Sequence, residues 1–448
     1  MLNSPVRKSF TARQRAVAVY TAVVVFITYA SIFAYRKPFT VATFEGISFW
    51  GVPYQILLII SQVLGYMASK FYGIRYIAEL RRWGRWKAVA ILVGVAWLAL
   101  LVFAITPPPY GMILFFLNGF PLGLLWGIIF SYVEGRRTTD FIGSALAVSF
   151  IFAGGFSRSV AKWLMINYDV SEAWVPFATG LVFAVPLILF LFLLERVPAP
   201  DADDISERTV RVPMPKEARK KFVREFGFGV VMVTITYLFL TIIRDLRDNF
   251  MANIWNELGF GGNASIFTKT ETPTFILVLI MMSMLVLIRK NIIAFRIVHG
   301  MILFGFLLAG ISSLLFLHGF CNPSLWMLLV GLGLYSAYIP FNSIFFERMI
   351  ASFRITGNVG FLIYIADAFG YLGSVAVMLT KEILQVNLKW SEFYPVVVVV
   401  VAVIGVLGTI SSLWYFNRKY KTFGVPSALF LVCWLHVAGC FSSLIILS

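Results

Sequence analysis

The chain has 448 residues, of which 60% are hydrophobic and only 13% are charged. Soluble domains carry about 25% charged residues, so this composition excludes a water-soluble fold and indicates that a bilayer covers the apolar surface. The net charge of +16 would suit a nucleic-acid-binding protein, but the basic residues lie in short runs between apolar segments, so no nucleic-acid partner is expected and the bilayer itself is.

Apolar runs long enough to cross a hydrocarbon core, which takes about 20 residues, recur along the whole chain. The first run is too long for a signal peptide and has no small-residue cleavage site, so we interpret it as a retained span. A last hydrophobic stretch, 425–448, is either a thirteenth span or an amphipathic tail. The predicted spans are 16–44, 52–74, 88–106, 111–133, 141–165, 174–194, 226–255, 272–288, 297–317, 324–346, 357–380 and 393–415.

The longest polar segment lies between the sixth and seventh spans and divides the chain into two parts of similar size. We therefore predict a first six-helix half over 1–195, a cytoplasmic linker over 196–224 and a second six-helix half over 225–424. The hydrophobic C-terminal tail over 425–448 follows.

The basic residues outside the spans are distributed asymmetrically. They concentrate in the N-terminal tail and in every second connection, whereas the alternate connections hold only Lys269, Lys381 and Lys389. Because cytoplasmic loops are enriched in Lys and Arg, this bias predicts a multi-pass protein of the cytoplasmic membrane with its N-terminus in the cytoplasm.

Short stretches recur in the two halves. Ser-Val-Ala occurs at 159–161 in span five and at 374–376 in span eleven, and an arginine follows the apolar run at 35–37 and again at 243–245. Two parallel six-span repeats describe the major facilitator architecture, in which the substrate site lies near the bilayer midplane between the halves. We therefore expect an all-α polytopic membrane protein with two six-helix bundles.

Basic residues inside the predicted spans are candidates for function, because each costs about 2.5–3.5 kcal/mol near a helix centre. If 16–44 is one helix, Arg36 lies about 12 Å below its outer end, and Arg244 lies about 16 Å from Trp255. One arginine from each half would then reach the midplane. The full set is Arg36, Lys37, Lys70, Arg158, Lys162, Arg244 and Arg247.

Two guanidinium groups that face one cavity repel each other, and an oxyanion would relieve the repulsion by accepting their forked hydrogen bonds. The alternative is that each arginine pairs internally. The carboxylates available for such pairing are Glu45 for Arg36, and Asp245, Asp248 or Asp367 for Arg244.

Other charged residues leave more than one interpretation open. Lys70 lies near the inner end of span two, so it either joins the substrate site or snorkels to the headgroups. Arg158 and Lys162 share one helix face and either line the site, snorkel outward or pair with Asp367. Asp367 is either a partner for a basic residue or a proton carrier.

Four short motifs resemble one known family. Residues 34–42 are similar to the end of its first helix, 69–71 to its helix-two lysine motif, 117–127 to its helix-four segment and 237–244 to its helix seven. The family is that of the organophosphate:phosphate antiporters, the glycerol-phosphate and hexose-phosphate transporters of the major facilitator superfamily. The chain also resembles a bacterial family of that superfamily with no assigned function.

The resemblance implies a monomeric antiporter of a small organic or phosphorylated anion, with no cofactor and no metal. It also implies substrate binding by Arg36, Arg244 and Lys70, together with Tyr35 and Lys37 of the first motif. The region 151–155 lacks the family's helix-five histidine, and charged residues at 245–248 replace a neutral stretch, so the chain is a divergent relative. The candidates for coupling or ion pairing are Arg158, Asp245, Arg247 and Asp367.

Two other functional classes remain as alternatives. An intramembrane enzyme is not expected, because no Ser/His, paired-Asp or His-metal constellation falls on facing spans. The cysteines and histidines show no metal-ligand spacing. The alternatives are a non-transporting sensor on the same fold and a proton-coupled transporter of a neutral solute.

Overall fold

The computed structural model describes residues 11–79, 84–201, 204, 216–288, 290–353, 360–384, 386 and 388–422. The chain is an all-α polytopic membrane protein, and the predicted tail 425–448 lies outside the described residues. Its long helices are α1 Ala12–Phe33, α2 Tyr54–Glu79, α3 Arg85–Ile105, α4 Gly111–Phe130, α5 Thr139–Tyr168, α6 Val175–Glu195, α7 Lys216–Glu257, α8 Ile266–Val286, α9 Asn291–Leu317, α10 Pro323–Phe353, α11 Gly360–Ile383 and α12 Trp390–Thr422.

Each predicted span falls on one of these helices. In the described part of the chain, 10 helices are long and apolar enough to cross a membrane. Their outward faces carry large exposed hydrophobic side chains, such as Val185 and Ile188 on α6 and Val403 and Leu407 on α12. Because water disfavours such surfaces, these faces are suited to contact with lipid.

The two sets of six helices pack in the same order. In the first set α1 packs against α5 and α6, α2 against α4, and α3 against α4 and α6. In the second set α7 packs against α11 and α12, α8 against α10, and α9 against α10 and α12. Each pair therefore recurs six helices later, as expected for a parallel repeat.

Side chains of α2 and α5 in the first set meet α11 and α8 in the second. Aromatic rings fill part of this interface: Phe275 of α8 lies 5.4 Å from the ring of Phe26 and 5.7 Å from that of Phe152. Phe150 of α5 also contacts Tyr335 and Tyr338 of α10. The candidate site is built along this interface.

The first predicted span is wrong in one respect, because the helix does not run unbroken over 16–44. It ends at Phe33, a turn follows, and a short 3-10 helix covers Pro38–Val41. Pro38 has no amide hydrogen to donate to the carbonyl four residues earlier, and its ring crowds that carbonyl, so an α-helix does not continue unbroken through it. Arg36 is therefore carried by a turn rather than by the middle of a helix.

Three further details depart from the sequence interpretation. Ser48–Phe49 and Val52–Pro53 form a small antiparallel hairpin, closed by two residues with positive φ, as a tight two-residue turn requires. The segment from Lys216 onward, predicted as linker up to 224, is already part of α7. Within α10, Phe341–Phe345 form a π-helical turn directly after Pro340.

Candidate substrate site

The turn that carries Arg36 is held by two amides of neighbouring helices. Asn118 Nδ2 donates to the carbonyl oxygens of Tyr35 and Ala96, at 3.1 and 3.0 Å. Gln62 Nε2 donates to the carbonyl of Arg36 at 3.2 Å and to Asn118 Oδ1 at 2.8 Å. The bonds to Tyr35 and Arg36 satisfy carbonyl groups of the turn after α1 that have no helical partners, and the bond to Ala96 ties this turn to α3.

The guanidinium of Arg36 stacks on an aromatic ring of α2. Its Cζ lies 4.0 Å from the centroid of the Tyr66 ring. Tyr66 is about 18 Å along α2 from Tyr54, near the middle of that helix. The Arg36 side chain therefore reaches mid-bundle depth, although the unbroken helix from which this depth was predicted does not exist.

Arg36 has no carboxylate within ion-pair distance among the described residues, and its Nε has no hydrogen-bond partner there. The alternative pairing with Glu45 is wrong, because Glu45 is exposed in the connection before α2, next to Thr43. A guanidinium on an aromatic face whose Nε–H has no partner can bind an anion once the surrounding side chains give access to it.

Arg244 of α7 is partnered within its own half. Its Nη2 donates to Asp245 Oδ1 at 2.6 Å, and its Nη1 donates to the Tyr338 hydroxyl. Its Cζ also lies 4.5 Å from the Tyr338 ring and 5.6 Å from the Tyr371 ring. Ser374 donates to the other oxygen of Asp245 at 3.0 Å. The internal pairing with Asp245 is therefore present for Arg244.

Two tyrosines connect the two arginines across the interface. Tyr66 of α2 and Tyr371 of α11 meet edge to face, with ring centroids 5.6 Å apart. Arg36 lies over the first ring and Arg244 approaches the second. The structure thus brings the predicted pair of arginines to one region between the halves, and the two rings lie between them.

Lys70 and Asp367 lie beside this region and face each other from opposite halves. Lys70 Nζ is 3.7 Å from Asp367 Oδ2 and 5.1 Å from the Tyr66 ring centroid. The hydroxyl of Tyr237 donates to Asp367 Oδ1 at 2.5 Å. Lys70 therefore points into the interface, and the snorkelling interpretation is wrong for it.

A second cluster surrounds Asp248 towards the end of α7. Lys37 Nζ lies 4.0 Å from its Oδ2, Arg158 Nη2 lies 3.6 Å from its Oδ1, and Tyr335 donates to Oδ1 at 2.9 Å. Lys37 also donates to Asn249 at 3.0 Å. Outward snorkelling is wrong for Arg158, which is only 1% exposed, and pairing with Asp367 is wrong because its carboxylate partner is Asp248.

Arg247 belongs to a third, fully buried ion pair. Its Nη1 donates to Glu271 Oε1 at 2.6 Å, and the two side chains are 0% and 2% exposed. The sequence interpretation did not include Glu271, because the predicted span eight began one residue later. A lone carboxylate at the start of an apolar run is the signal that could have identified it.

Tyr35, predicted to bind substrate, is placed elsewhere. Its ring packs against Trp97 of α3, with centroids 6.0 Å apart, and its Cε1 lies close to Gly180 of α6. The ring is buried inside the first half, because the turn after α1 directs residues 35 and 36 to different sides. The structure therefore does not bring the Tyr35 side chain to Arg36.

The interface carries more positive than negative groups among the described residues. Asp245 and Glu271 are matched closely by Arg244 and Arg247, and Asp367 is matched more loosely by Lys70. Asp248 is shared by two cations, and Arg36 has none. The set is six cations, Arg36, Lys37, Lys70, Arg158, Arg244 and Arg247, against four carboxylates, Asp245, Asp248, Glu271 and Asp367.

The tyrosines are the site residues that the sequence interpretation missed. Tyr66, Tyr237, Tyr338 and Tyr371 contact the predicted charged residues, and Tyr29 is close enough to interact electrostatically with Arg36. A tyrosine in a span carries no charge, so membrane cost alone does not single it out.

The family model described as "Family of unknown function (DUF5690)" matches residues 38–419. The chain belongs to this family. The matched region contains every helix from α2 to α11 and nearly all of α12, so it includes Lys70, Arg244 and Asp367 but not Arg36 or Lys37. No curated protein matches the sequence.

Solved structures of transporters share the fold. The nucleoside transporter NupG is 14% identical over 89% of this chain and 99% of its own, with a TM-score of 0.60. A bacterial homologue of the human drug peptide transporters PepT1 and PepT2 is 13% identical over 90% of this chain and 99% of its own, with a TM-score of 0.57. A bacterial homologue of the lysosomal transporter Spinster, inward-facing and unoccupied, is 11% identical over 94% of this chain and 100% of its own, with a TM-score of 0.56.

These similarities confirm the all-α polytopic fold. At such low identity they show the architecture alone. The DUF5690 member shares that architecture, and its relation to the organophosphate antiporters stays a prediction.

Proposed function

We propose that this DUF5690 protein is a secondary transporter that moves an organic or phosphorylated anion across the cytoplasmic membrane by alternating access. The substrate would bind between the halves, where Arg36 comes from the first half and Arg244 from the second. Lys70 adjoins them. The transporter structures that share the fold support the transport function, since each of them is named as a carrier.

The observation that best supports an anionic substrate is that the charge of Arg36 has no carboxylate partner among the described residues. Its guanidinium lies on Tyr66 with no carboxylate at ion-pair distance in the described part of the chain. A cation inside a membrane protein is costly unless a partner compensates it. A substrate with negative oxygens would supply that partner through forked, charge-assisted hydrogen bonds.

Arg244 contributes in a different way from Arg36. Its Nη2 is bound to Asp245, whereas its Nε has no hydrogen-bond partner among the described residues. Because this Nε is buried, an anion would reach it only when the halves move apart, and the bond between Nη2 and Asp245 could then stay in place. The Tyr338 and Tyr371 rings fix the plane of the guanidinium and so reduce the entropy that anion binding would otherwise cost.

Polar contacts between the halves support alternating access. On the side of the bundle away from the N-terminus, Gln55 and Asn253 exchange hydrogen bonds of 3.1 and 3.0 Å, and Thr268 donates to Ser159 at 2.7 Å. One helical turn deeper along α7, Lys37 and Arg158 of the first half contact Asn249 and Asp248 of the second. The neutral amide and hydroxyl contacts contribute modestly each, so rocking of the halves could open them, and the same movement would separate Lys37 and Arg158 from Asp248.

The proposal is tested with purified protein and a panel of anions. Inorganic phosphate, inorganic sulfate, an aliphatic phosphate ester and a dicarboxylate are screened for thermal stabilisation, and the stabilising anions are then tested for flux into proteoliposomes. We expect stabilisation and flux by at least one anion, and loss of both in the Arg36→Gln, Arg244→Gln double variant. Wild-type flux in a folded double variant would contradict the anion site, and binding without flux would indicate a sensor.

A further inference from the structure

The ion pair between Lys70 and Asp367 joins the two halves, as do the pairs of Lys37 and Arg158 with Asp248, but Asp367 has one cation at ion-pair distance among the described residues where Asp248 has two. Its Nζ–Oδ2 distance of 3.7 Å is outside hydrogen-bond range. The pair of Arg247 with Glu271, in contrast, lies within the second half at 2.6 Å. A loose pair between two moving bodies can be exchanged for another partner at lower cost than a tight one.

The two oxygens of Asp367 have different partners. Oδ1 accepts the hydrogen bond of the Tyr237 hydroxyl, whereas Oδ2 faces Lys70. Among the residues that the structure describes, Lys70 is the one cation within ion-pair distance of Asp367. If Lys70 turns elsewhere, Oδ2 is left without a partner while Oδ1 keeps its own.

The other charged and titratable groups around Asp367 do not replace Lys70. Arg244 and Arg36 are the other cations nearby: Asp245 balances the first at 2.6 Å, and the second stacks on Tyr66 without reaching ion-pair distance of Asp367. The remaining groups are tyrosines, which are uncharged at neutral pH. The groups that face Asp367 are Lys70 and Tyr66 from α2, Tyr237 and Arg244 from α7, Tyr338 from α10 and Tyr371 from its own helix α11.

Lys70 is also placed to respond to substrate. Its Nζ lies 5.1 Å from the ring of Tyr66, on which the unmatched Arg36 is stacked. An anion bound to Arg36 would attract the Lys70 ammonium away from Asp367. A carboxylate left without its cation in a desolvated interface is costly, and proton uptake removes that cost.

We propose that Asp367 binds a proton when the anion engages Lys70, so that anion and proton cross the membrane together. This inference rests on the proposed function. One proton from the water on the open side binds Oδ2 of Asp367, while Tyr237 keeps its hydrogen bond to Oδ1. After the halves rock, the anion leaves, Lys70 returns to Oδ2, and the proton is released to the opposite side.

The first test needs no substrate. Full-length Lys70→Gln protein is purified, and the protonated-carboxyl band is measured by infrared spectroscopy at neutral pH. We expect a band in Lys70→Gln that is absent from the wild type, from Lys70→Arg and from the Lys70→Gln, Asp367→Asn double variant. Absence of the band in folded Lys70→Gln, or its persistence after Asp367→Asn, would overturn the proposal.

The second test uses inorganic sulfate, whose charge is constant between mildly acidic and mildly alkaline pH. One linked proton should strengthen sulfate binding about tenfold for each unit that the pH falls, over the range in which free Asp367 is ionised. In Asp367→Asn the affinity should not depend on pH. Sulfate binding of equal strength at every pH in the wild type would overturn proton coupling but not the anion site. If no anion binds, the proposed function fails, and the infrared test still decides the state of Asp367.

Discussion

Tyr66 and Tyr371 meet edge to face across the interface between the two halves, with ring centroids 5.6 Å apart. Each ring also contacts an arginine of its own half, Arg36 at 4.0 Å and Arg244 at 5.6 Å. The tyrosine contact therefore couples the position of the two guanidinium groups to the relative position of the halves. A movement that separates the rings also changes the separation of the two arginines.

The first prediction concerns the paired N–H donors of the Arg36 guanidinium. Arg36→Lys keeps the charge but loses the paired donors, so it should weaken binding of the stabilising anion, and Arg36→Gln should weaken it further. The loss of a charge-assisted hydrogen bond costs about 1.5–3 kcal/mol, which corresponds to roughly a ten- to hundredfold increase in Kd. Calorimetry on folded protein measures this series.

Lys162→Gln is the matched control for this series. Lys162 is a half-buried cation on α5, and it makes no ion pair with the described residues around Arg36. Its removal changes the net charge by the same amount as Arg36→Gln. Equal loss of anion binding in both variants would indicate a general effect of charge and contradict a specific role of Arg36.

The second prediction separates binding from stability at Arg244. Arg244→Gln leaves the carboxylate of Asp245 buried without its cation, which costs about 3–5 kcal/mol for a buried pair. The double variant Arg244→Gln, Asp245→Asn should recover most of the thermal stability, because no charge is then stranded. Anion binding should stay lost in both variants. Recovery of binding together with stability would show that Arg244 serves structure alone.

The accuracy of the predictions made from the sequence differs between the helices, the turn after α1 and the site residues. Every long helix in the described part of the chain falls on a predicted span, because a membrane helix needs an apolar run that the sequence displays directly. The end of α1 at Phe33 was missed, since the residues on both sides of Pro38 stay apolar and conceal the turn.

The free-energy cost of placing a charged side chain inside the membrane identified Arg36, Lys70, Arg244 and Asp367 as candidates for the site. Asp245, the partner of Arg244, was among the three carboxylates that the sequence offered, but partners on other helices were not predictable, because such pairing depends on which helices face one another. Arg158 illustrates this: its partner is Asp248 on α7 rather than Asp367 on α11. Tyr66 and Tyr371 gave no signal at all, since a neutral aromatic residue is ordinary in a span.

The third prediction tests the close packing of α5 against α8. A Cβ atom at Gly155 would lie 2.6 Å from Cγ of Glu271 and 3.0 Å from the carbonyl oxygen of Phe267, both too close. Gly155→Ala should therefore destabilise the protein by about 1–3 kcal/mol, as overpacking usually does. Thermal unfolding in detergent measures the effect.

Gly143→Ala on the same helix provides the control for Gly155. Its Cβ would meet only Phe130 at 3.5 Å, an ordinary contact, and alanine also favours helix. We expect unchanged or slightly raised stability in this variant. If Gly155→Ala were equally neutral, the tight contact with Glu271 would not exist in the dominant state of the protein.

The fourth prediction tests the orientation in the membrane with a native thiol. Cys321 is a free cysteine between α9 and α10, on the side predicted to face away from the cytoplasm. In intact cells that produce the Cys433→Ser, Cys440→Ser variant, a membrane-impermeant maleimide should label the protein. The Cys321→Ser version should remain unlabelled. Labelling that occurs only after the cells are lysed would reverse the proposed topology.

The last prediction concerns the contact that closes the side of the bundle away from the N-terminus. Gln55 and Asn253 exchange two hydrogen bonds between α2 and α7, which belong to different halves. If the halves rock during transport, these residues must separate in each cycle. A short thiol-specific crosslinker between Gln55→Cys and Asn253→Cys, in a background without native cysteines, should therefore abolish flux.

Anion binding should survive this crosslink, because the substrate can still enter from the side of the N-terminus. The single-cysteine variants treated with the same reagent should keep their flux, and cleavage of a reducible linker should restore it in the double variant. These controls distinguish a blocked movement from a damaged site. Full flux in protein whose crosslinking is complete would contradict alternating access through opening of the Gln55 and Asn253 contact.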